Sequence, residues 1–190
     1  RHWHDRPNVV GGLDELAGGS WMGLNDSGMV ACILNRRGTL GPQANKRSRG
    51  EIVLEALDHQ DAVTAADALS YLDGNAYRGF NLLLADNKDA FWLKLDEDQG
   101  SGVMVSGVPY GISMLTAGDL NDPASDRISN YTPKFSAASA PDPMKNDWAE
   151  WQSLMGDSSI YESPLSAMCF STADGFGTSS SSLLALPSVE

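Results

Sequence analysis

Residues 80–95 read FNLLLADNKDAFWLKL, which is two apolar runs separated by Asp86-Asn87-Lys88-Asp89. Each run has the length of a typical strand, and the four polar residues between them favour a turn. The segment therefore predicts an antiparallel hairpin with strands over 80–85 and 90–95. It is the clearest structural signal in the chain.

A second hairpin is predicted upstream. Residues 20–24 and 29–35 flank Asn25-Asp26-Ser27-Gly28, which again has turn composition. Residues 29–34 of the second arm are all apolar, and this pattern indicates a strand that is buried on both faces.

Two helices are predicted between the hairpins. Ser48 and Glu51 have the spacing of a capping box, in which each side chain bonds the other residue's backbone amide, ahead of an apolar run over 52–57. A further helix is predicted from Asp61, with apolar residues at helical spacing to Leu72.

The second half of the chain alternates short apolar runs with polar segments. The predicted strands are 103–105, 111–115, 165–170 and 181–186, and the predicted helices are 125–131 and 147–155, the latter burying Trp148 and Trp151. The order of elements favours an α+β fold, with antiparallel sheet and helices on its outer faces. A chain of 190 residues can bury about 70% of its unfolded surface, so residues 1–190 are predicted to form a single domain.

Composition excludes several classes of protein. The net charge is -12, and this acidic balance argues against a nucleic-acid partner. No stretch approaches the ~20 consecutive apolar residues of a membrane span, so no integral membrane segment is predicted. Cys32 and Cys169 both lie in apolar runs, which favours free thiols and a cytoplasmic location over a disulfide framework.

One region departs from the acidic balance. Between residues 36 and 49 there are five cations and no carboxylate: Arg36, Arg37, Lys46, Arg47 and Arg49. Such a patch on an acidic protein could select a carboxylate or a phosphate. A solvated loop with scattered charges explains the same residues equally well.

The motifs of common enzymes fail at defined positions. Residues 18–23 lack the last glycine of a nucleophile elbow, because Met22 occupies its place. Gly175-Phe176-Gly177 lacks the third glycine of a dinucleotide fingerprint, where Ser180 stands. Three histidines offer few options for a metal or a catalytic triad. We predict no catalytic and no metal-binding residue from these patterns.

Residues 119–122 and 147–151 resemble the bacterial branch of the NRDE domain family, which includes the transport and Golgi organisation protein 2 group, and six further segments, taken in order, resemble the family as a whole. These six segments are Gly18-Gly19-Ser20-Trp21-Met22-Gly23, residues 30–37, Ser48-Arg49-Gly50-Glu51, residues 77–82, Tyr110-Gly111-Ile112-Ser113 and residues 175–178. Each is unspecific alone, but their order and spacing extend over about 160 residues.

The resemblance implies an N-terminal-nucleophile-hydrolase-like fold, a four-layer αββα sandwich of two mostly antiparallel sheets. The family's Asn-Arg-Asp-Glu motif and its presumed nucleophile, a Cys after the initiator Met, are missing, and Asn35-Arg36-Arg37-Gly38 is not that motif. We therefore expect the domain to be incomplete in this sequence, with its first strands and its last strand outside it.

The resemblance also implies three functions. The first is haem binding and trafficking, with delivery of haem from membranes or storage sites to recipient haemoproteins. The second is amide hydrolysis by the missing N-terminal Cys, and the third is binding of a lipid or an acyl-coenzyme A. In each case the ligand is an anionic small molecule, and the expected ligand-binding residues are Asn35, Arg36, Arg37, Arg49, Asn81 and Ser113.

Overall fold

The computed structural model describes residues 1–161 and 163–188. Their strands form one six-stranded antiparallel sheet in chain order: β1 Val9–Gly11, β2 Met22–Asn25, β3 Val30–Asn35, β4 Phe80–Ala85, β5 Ala90–Leu95 and β6 Val103–Gly107. The α-helices of these residues are α1 Gly50–Ala56, α2 Ala62–Ser70, α3 Asp126–Ala137 and α4 Ala149–Met155. The protein is therefore α+β with an antiparallel sheet, as predicted.

The chain divides into two compact units. The first contains Arg1–Val108 and the residues from Leu186 onward, and the second contains Pro109–Ala185. The sheet, α1 and α2 belong to the first unit, whereas α3 and α4 belong to the second. That residues 1–190 form a single domain remains a prediction.

The core of the first unit lies between the sheet and the helices α1 and α2. Residues that face each other across β4 and β5, such as Leu82 and Leu93, point to the same side and are fully buried. They belong to one apolar cluster with Ile52 of α1 and Leu69 of α2. The two helices therefore cover one face of the sheet.

The opposite face of the sheet has a different composition. Cys32, Leu34 and Leu83 point to it and are only half-buried. The prediction that residues 29–34 are buried on both faces is therefore wrong. Within β3 only Ala31, on the helix side, is fully buried, because α1 and α2 pack on that side alone.

The two hairpins are confirmed. The strands of the first coincide with the predicted 80–85 and 90–95, and the second runs through Gly28, whose φ of 84° is a backbone conformation that glycine adopts without strain. Both connect strands that are neighbours in the sheet, and local sequence alone specifies such pairs.

The prediction of a capping box is wrong, although the helix predicted to follow it is present. Arg49 is the N-cap residue of α1 and makes no side-chain cap, while the Ser48 hydroxyl accepts the Gly50 N–H at 3.2 Å. Glu51 instead accepts a hydrogen bond from the Tyr77 hydroxyl at 2.7 Å. A partner that is distant in sequence has replaced the local one.

The second unit contains fewer strands than predicted. Residues 111–115 and 181–186 are irregular, and 165–170 begins with a single 3-10 turn at Pro164–Ser166. The two helices are confirmed, and they pack through Phe135 and Trp151, whose ring centroids are 5.1 Å apart. Trp148 and Trp151 are half-buried rather than buried.

No helix in the described part of the chain combines the length and the apolar character that a membrane crossing requires.

Candidate functional site

A cleft of about 730 Å³ lies in the first unit, where β2 begins and β3 ends. This volume is typical of small-molecule sites, which measure roughly 300–1,000 Å³. Its walls come from residues 14–21, from 33–35 at the end of β3, from the loop 41–50 and from Arg78. We call it the cationic cleft.

Two glycines let two backbone segments cross closely beside the cationic cleft. The segment at Gly19 crosses the start of α1 at Gly50, and the Ser20 N–H donates to the Gly50 carbonyl at 3.0 Å. A Cβ atom on Gly19 would overlap the carbonyl group of Gly50. Glycine is therefore required here by the close approach of two backbones.

One wall of the cleft is apolar. It contains Leu16, Trp21, Ile33 and Leu34, and the Trp21 side chain is 52% exposed. The indole lies against Gly12, where a Cβ atom would come within 2.5 Å of the ring carbon Cζ2. The backbone at Gly12 thus supports the ring, and the exposed indole offers an aromatic surface.

The rim of the cleft is cationic, and two of its guanidinium groups bind neutral oxygen atoms. Arg49 donates from Nη1 to the carbonyls of Thr39 (2.9 Å) and Gly79 (3.0 Å). Arg78 donates to the carbonyls of Leu40 and Gly38, each at 2.8 Å. These bonds fix both guanidinium groups without cancelling their positive charge.

The pKa of Arg49 reflects the burial of its guanidinium group and the repulsion from Arg78. Burial lowers this pKa, the positive charge of Arg78 lowers it further, and the Glu97 carboxylate offsets part of the decrease. An anion placed between the two guanidinium groups would therefore relieve an existing repulsion as well as form new hydrogen bonds.

The other two cations of the rim differ from each other. Arg47 is neutralised, because its Nε lies 2.5 Å from Glu51 Oε1 and its guanidinium group stacks over Tyr77. The Lys46 ammonium group donates to the carbonyls of Asn75 (2.8 Å) and Tyr77 (2.9 Å) and so, like Arg49 and Arg78, binds neutral oxygen.

The structure places the expected ligand-binding residues in several locations. Asn35 and Arg49 line the cationic cleft. Arg37 is exposed and is not among the residues of the cleft walls. Ser113 belongs to the second unit, where its hydroxyl accepts the Asn121 amide at 3.2 Å.

Arg36 and Asn81 form a separate polar cluster on the sheet face opposite α1 and α2. Arg36 donates to Asn81 Oδ1 at 2.8 Å and pairs with Asp96 at 3.2 Å. The Trp92 indole N–H donates to the same Asn81 oxygen at 3.1 Å. The Arg36 charge is thus compensated within the unit, unlike that of Arg49.

Sequence reasoning missed three residues of the cleft. Leu16 and Trp21 were not recognised as a wall, and Arg78 was not recognised as the partner of Arg49. The sequence offered one signal for Arg78, namely its position two residues before β4, the most clearly predicted strand.

The part of the chain that the structure describes has no cluster of metal ligands, and the Cys32 thiol is not activated. Within residues 1–161 and 163–188, no three His, Cys, Asp or Glu side chains come together as a possible metal site. Burial raises the pKa of the Cys32 thiol, which disfavours the nucleophilic thiolate.

Comparison with known proteins gives the family. The sequence pattern of the family described as Transport and Golgi organisation 2 (TANGO2) matches residues 1–186. Transport and Golgi organization protein 2 homologs from Bos taurus and Homo sapiens are each 36% identical to the chain over 94 residues, which cover 44% of this chain and 31% of the relative. The matched region thus spans about a third of the length of these relatives. Because the family pattern extends over nearly all of its residues, the protein belongs to the Transport and Golgi organisation 2 family.

Proposed function

We propose that the protein binds haem reversibly in the cationic cleft and carries it through the cytoplasm from membranes or storage sites to recipient haemoproteins. The observation that carries the proposal is the pair Arg49 and Arg78, two charges bound to neutral carbonyls beside the exposed Trp21.

Haem matches the two chemical surfaces of the cleft. Its macrocycle is a large apolar π-system, suited to stacking on Trp21 and to contact with Ile33 and Leu34. Its two propionates are carboxylates, the groups that guanidinium ions pair with most specifically. The cleft residues would bind and orient haem through both surfaces.

The exposure of the cleft suits a carrier. Leu16 is fully exposed and Trp21 is half-exposed, so a ligand that stacks there stays partly in water. Ion pairs that remain in contact with water are screened by salt and exchange readily. Reversible release to a recipient protein requires such binding.

A titration with hemin tests the proposal. We expect quenching of tryptophan fluorescence and a shifted Soret band, with a Kd on the order of 1 µM. The variant Trp21→Phe should lose a large part of the quenching, whereas Trp148→Phe, in the second unit, should retain it. A Soret band identical to that of free hemin at all protein concentrations would contradict the proposal. Quenching of Trp21 by palmitoyl-coenzyme A but not by hemin would instead indicate an acyl-thioester carrier.

We also propose that the sheet is one half of a four-layer αββα sandwich of the N-terminal-nucleophile-hydrolase type. Two observations support this: α1 and α2 cover one face, and the other carries half-buried apolar side chains such as Cys32, Leu34 and Leu83. An apolar face of this kind is suited to packing against a second sheet.

A further inference from the structure

We infer that the cationic cleft recognises the porphyrin ring and its carboxylates, and that no side chain of the cleft coordinates the iron. Iron-free porphyrins are therefore ligands of the same site. This inference rests on the proposed function and specifies the class of molecule that the cleft accepts, namely planar tetrapyrrole carboxylates with or without a metal.

The residue types on the cleft walls carry the first step. Proteins ligate haem iron mainly through His, Cys, Met or Tyr. The described residues that line the cleft include none of these four types. The three histidines and two cysteines of the chain are not among them.

Two side-chain oxygen atoms at the cleft that could replace such ligands are engaged by the backbone. Asp14 Oδ1 accepts the N–H groups of Leu16 (3.0 Å) and Ala17 (3.1 Å) and so holds the turn at one wall. The Ser20 hydroxyl donates to the Gly12 carbonyl at 2.8 Å and accepts the Met22 N–H at 3.3 Å. Both groups serve to hold the backbone of the cleft.

The remaining recognition elements act on parts of the ligand that do not include the metal. Stacking on the Trp21 ring, which Gly12 supports, depends on the π-system of the macrocycle. Pairing with Arg49 and Arg78 depends on the carboxylates. Removing the iron leaves both interactions in place.

Parallel titrations with hemin and iron-free protoporphyrin IX test the inference, with tryptophan quenching as the readout. We expect the two Kd values to agree within about threefold, well below the factor of ten that 1.4 kcal/mol would produce. Trp21→Leu removes the reporting indole, so its affinities are read from the porphyrin absorbance, and it should weaken both ligands by the same factor. The bound hemin should show the same Soret band in the wild type and in the variant that combines His2→Gln, His4→Gln and His59→Gln.

The outcomes separate this inference from the proposed function. Hemin binding that is tenfold or more tighter than protoporphyrin binding would overturn the inference and leave haem binding intact. A Soret shift that disappears in the histidine variant would do the same. If neither porphyrin binds, both the proposed function and the inference are wrong.

Discussion

Replacing both Arg49 and Arg78 by glutamine is expected to weaken hemin binding by about 100-fold. Each guanidinium group can give a propionate a charge-assisted hydrogen bond, and in contact with water each bond is worth about 1.5 kcal/mol, the low end of the usual range. Since 1.4 kcal/mol is a factor of ten in affinity, losing both bonds costs about 100-fold. Because neither charge is neutralised by the oxygen atoms that fix it, both are free to act on the ligand. Fluorescence or calorimetric titration of the double variant measures the loss.

Two control variants separate the role of these charges from a general effect. Arg37→Gln removes an exposed cation outside the cleft walls and should leave the hemin Kd within twofold of wild type. Arg49→Lys keeps the charge but loses the planar fork, so its affinity should lie between those of the wild type and the double variant. The cationic cleft would be excluded as the hemin site if the double variant folds normally, by circular dichroism and thermal unfolding, yet binds as the wild type does.

Replacing Gly19 by alanine is expected to lower the free energy of unfolding by about 3 kcal/mol. The added Cβ would overlap the carbonyl group of Gly50, and this obstacle is backbone rather than a flexible side chain. The strand entry and the start of α1 would have to separate, which would also break the hydrogen bond from the Ser20 N–H to Gly50. Urea unfolding followed by circular dichroism measures the change.

The matched control for this substitution is Gly102→Ala. A Cβ atom at Gly102 meets no atom within 4 Å, so the free energy of unfolding of this variant should differ from that of the wild type by less than about 0.5 kcal/mol. Equal effects of the two substitutions would show that the crossing of Gly19 and Gly50 is not a tight contact. We also expect Gly19→Ala to bind hemin weakly, because the crossing holds Ser20 and Gly50, which line the cationic cleft.

The sheet was the most predictable part of the structure. β4 and β5 begin and end at the predicted residues because a four-residue polar turn joins two apolar runs that pair directly with each other. Strands 165–170 and 181–186 were predicted from composition alone, and among residues 163–188 the only β-bridge near them joins Ser171 and Gly177. An apolar run does not become a strand without a partner strand beside it.

The cationic cleft was predicted only in part. The basic run 36–49 identified the loop and Arg49, but the sequence could not show that Arg36 turns to Asn81 and Asp96 on the sheet face. It also could not show that Arg78, 29 positions from Arg49, lies at the same rim. Such pairings depend on tertiary contacts, which can override local sequence patterns. Glu51 is an example, because it accepts a hydrogen bond from the distant Tyr77 hydroxyl instead of forming the predicted capping box.

The most direct test of the central claim is the position of bound haem in the intact chain. Ferric haem is paramagnetic and broadens the NMR signals of nearby amides, and zinc protoporphyrin provides a diamagnetic reference. In spectra of the uniformly ¹⁵N-labelled protein, we predict selective broadening at Asn35, Gln43 and Gly50, which line the cationic cleft. Broadening confined to residues 109–185, with these three amides unchanged, would contradict the account.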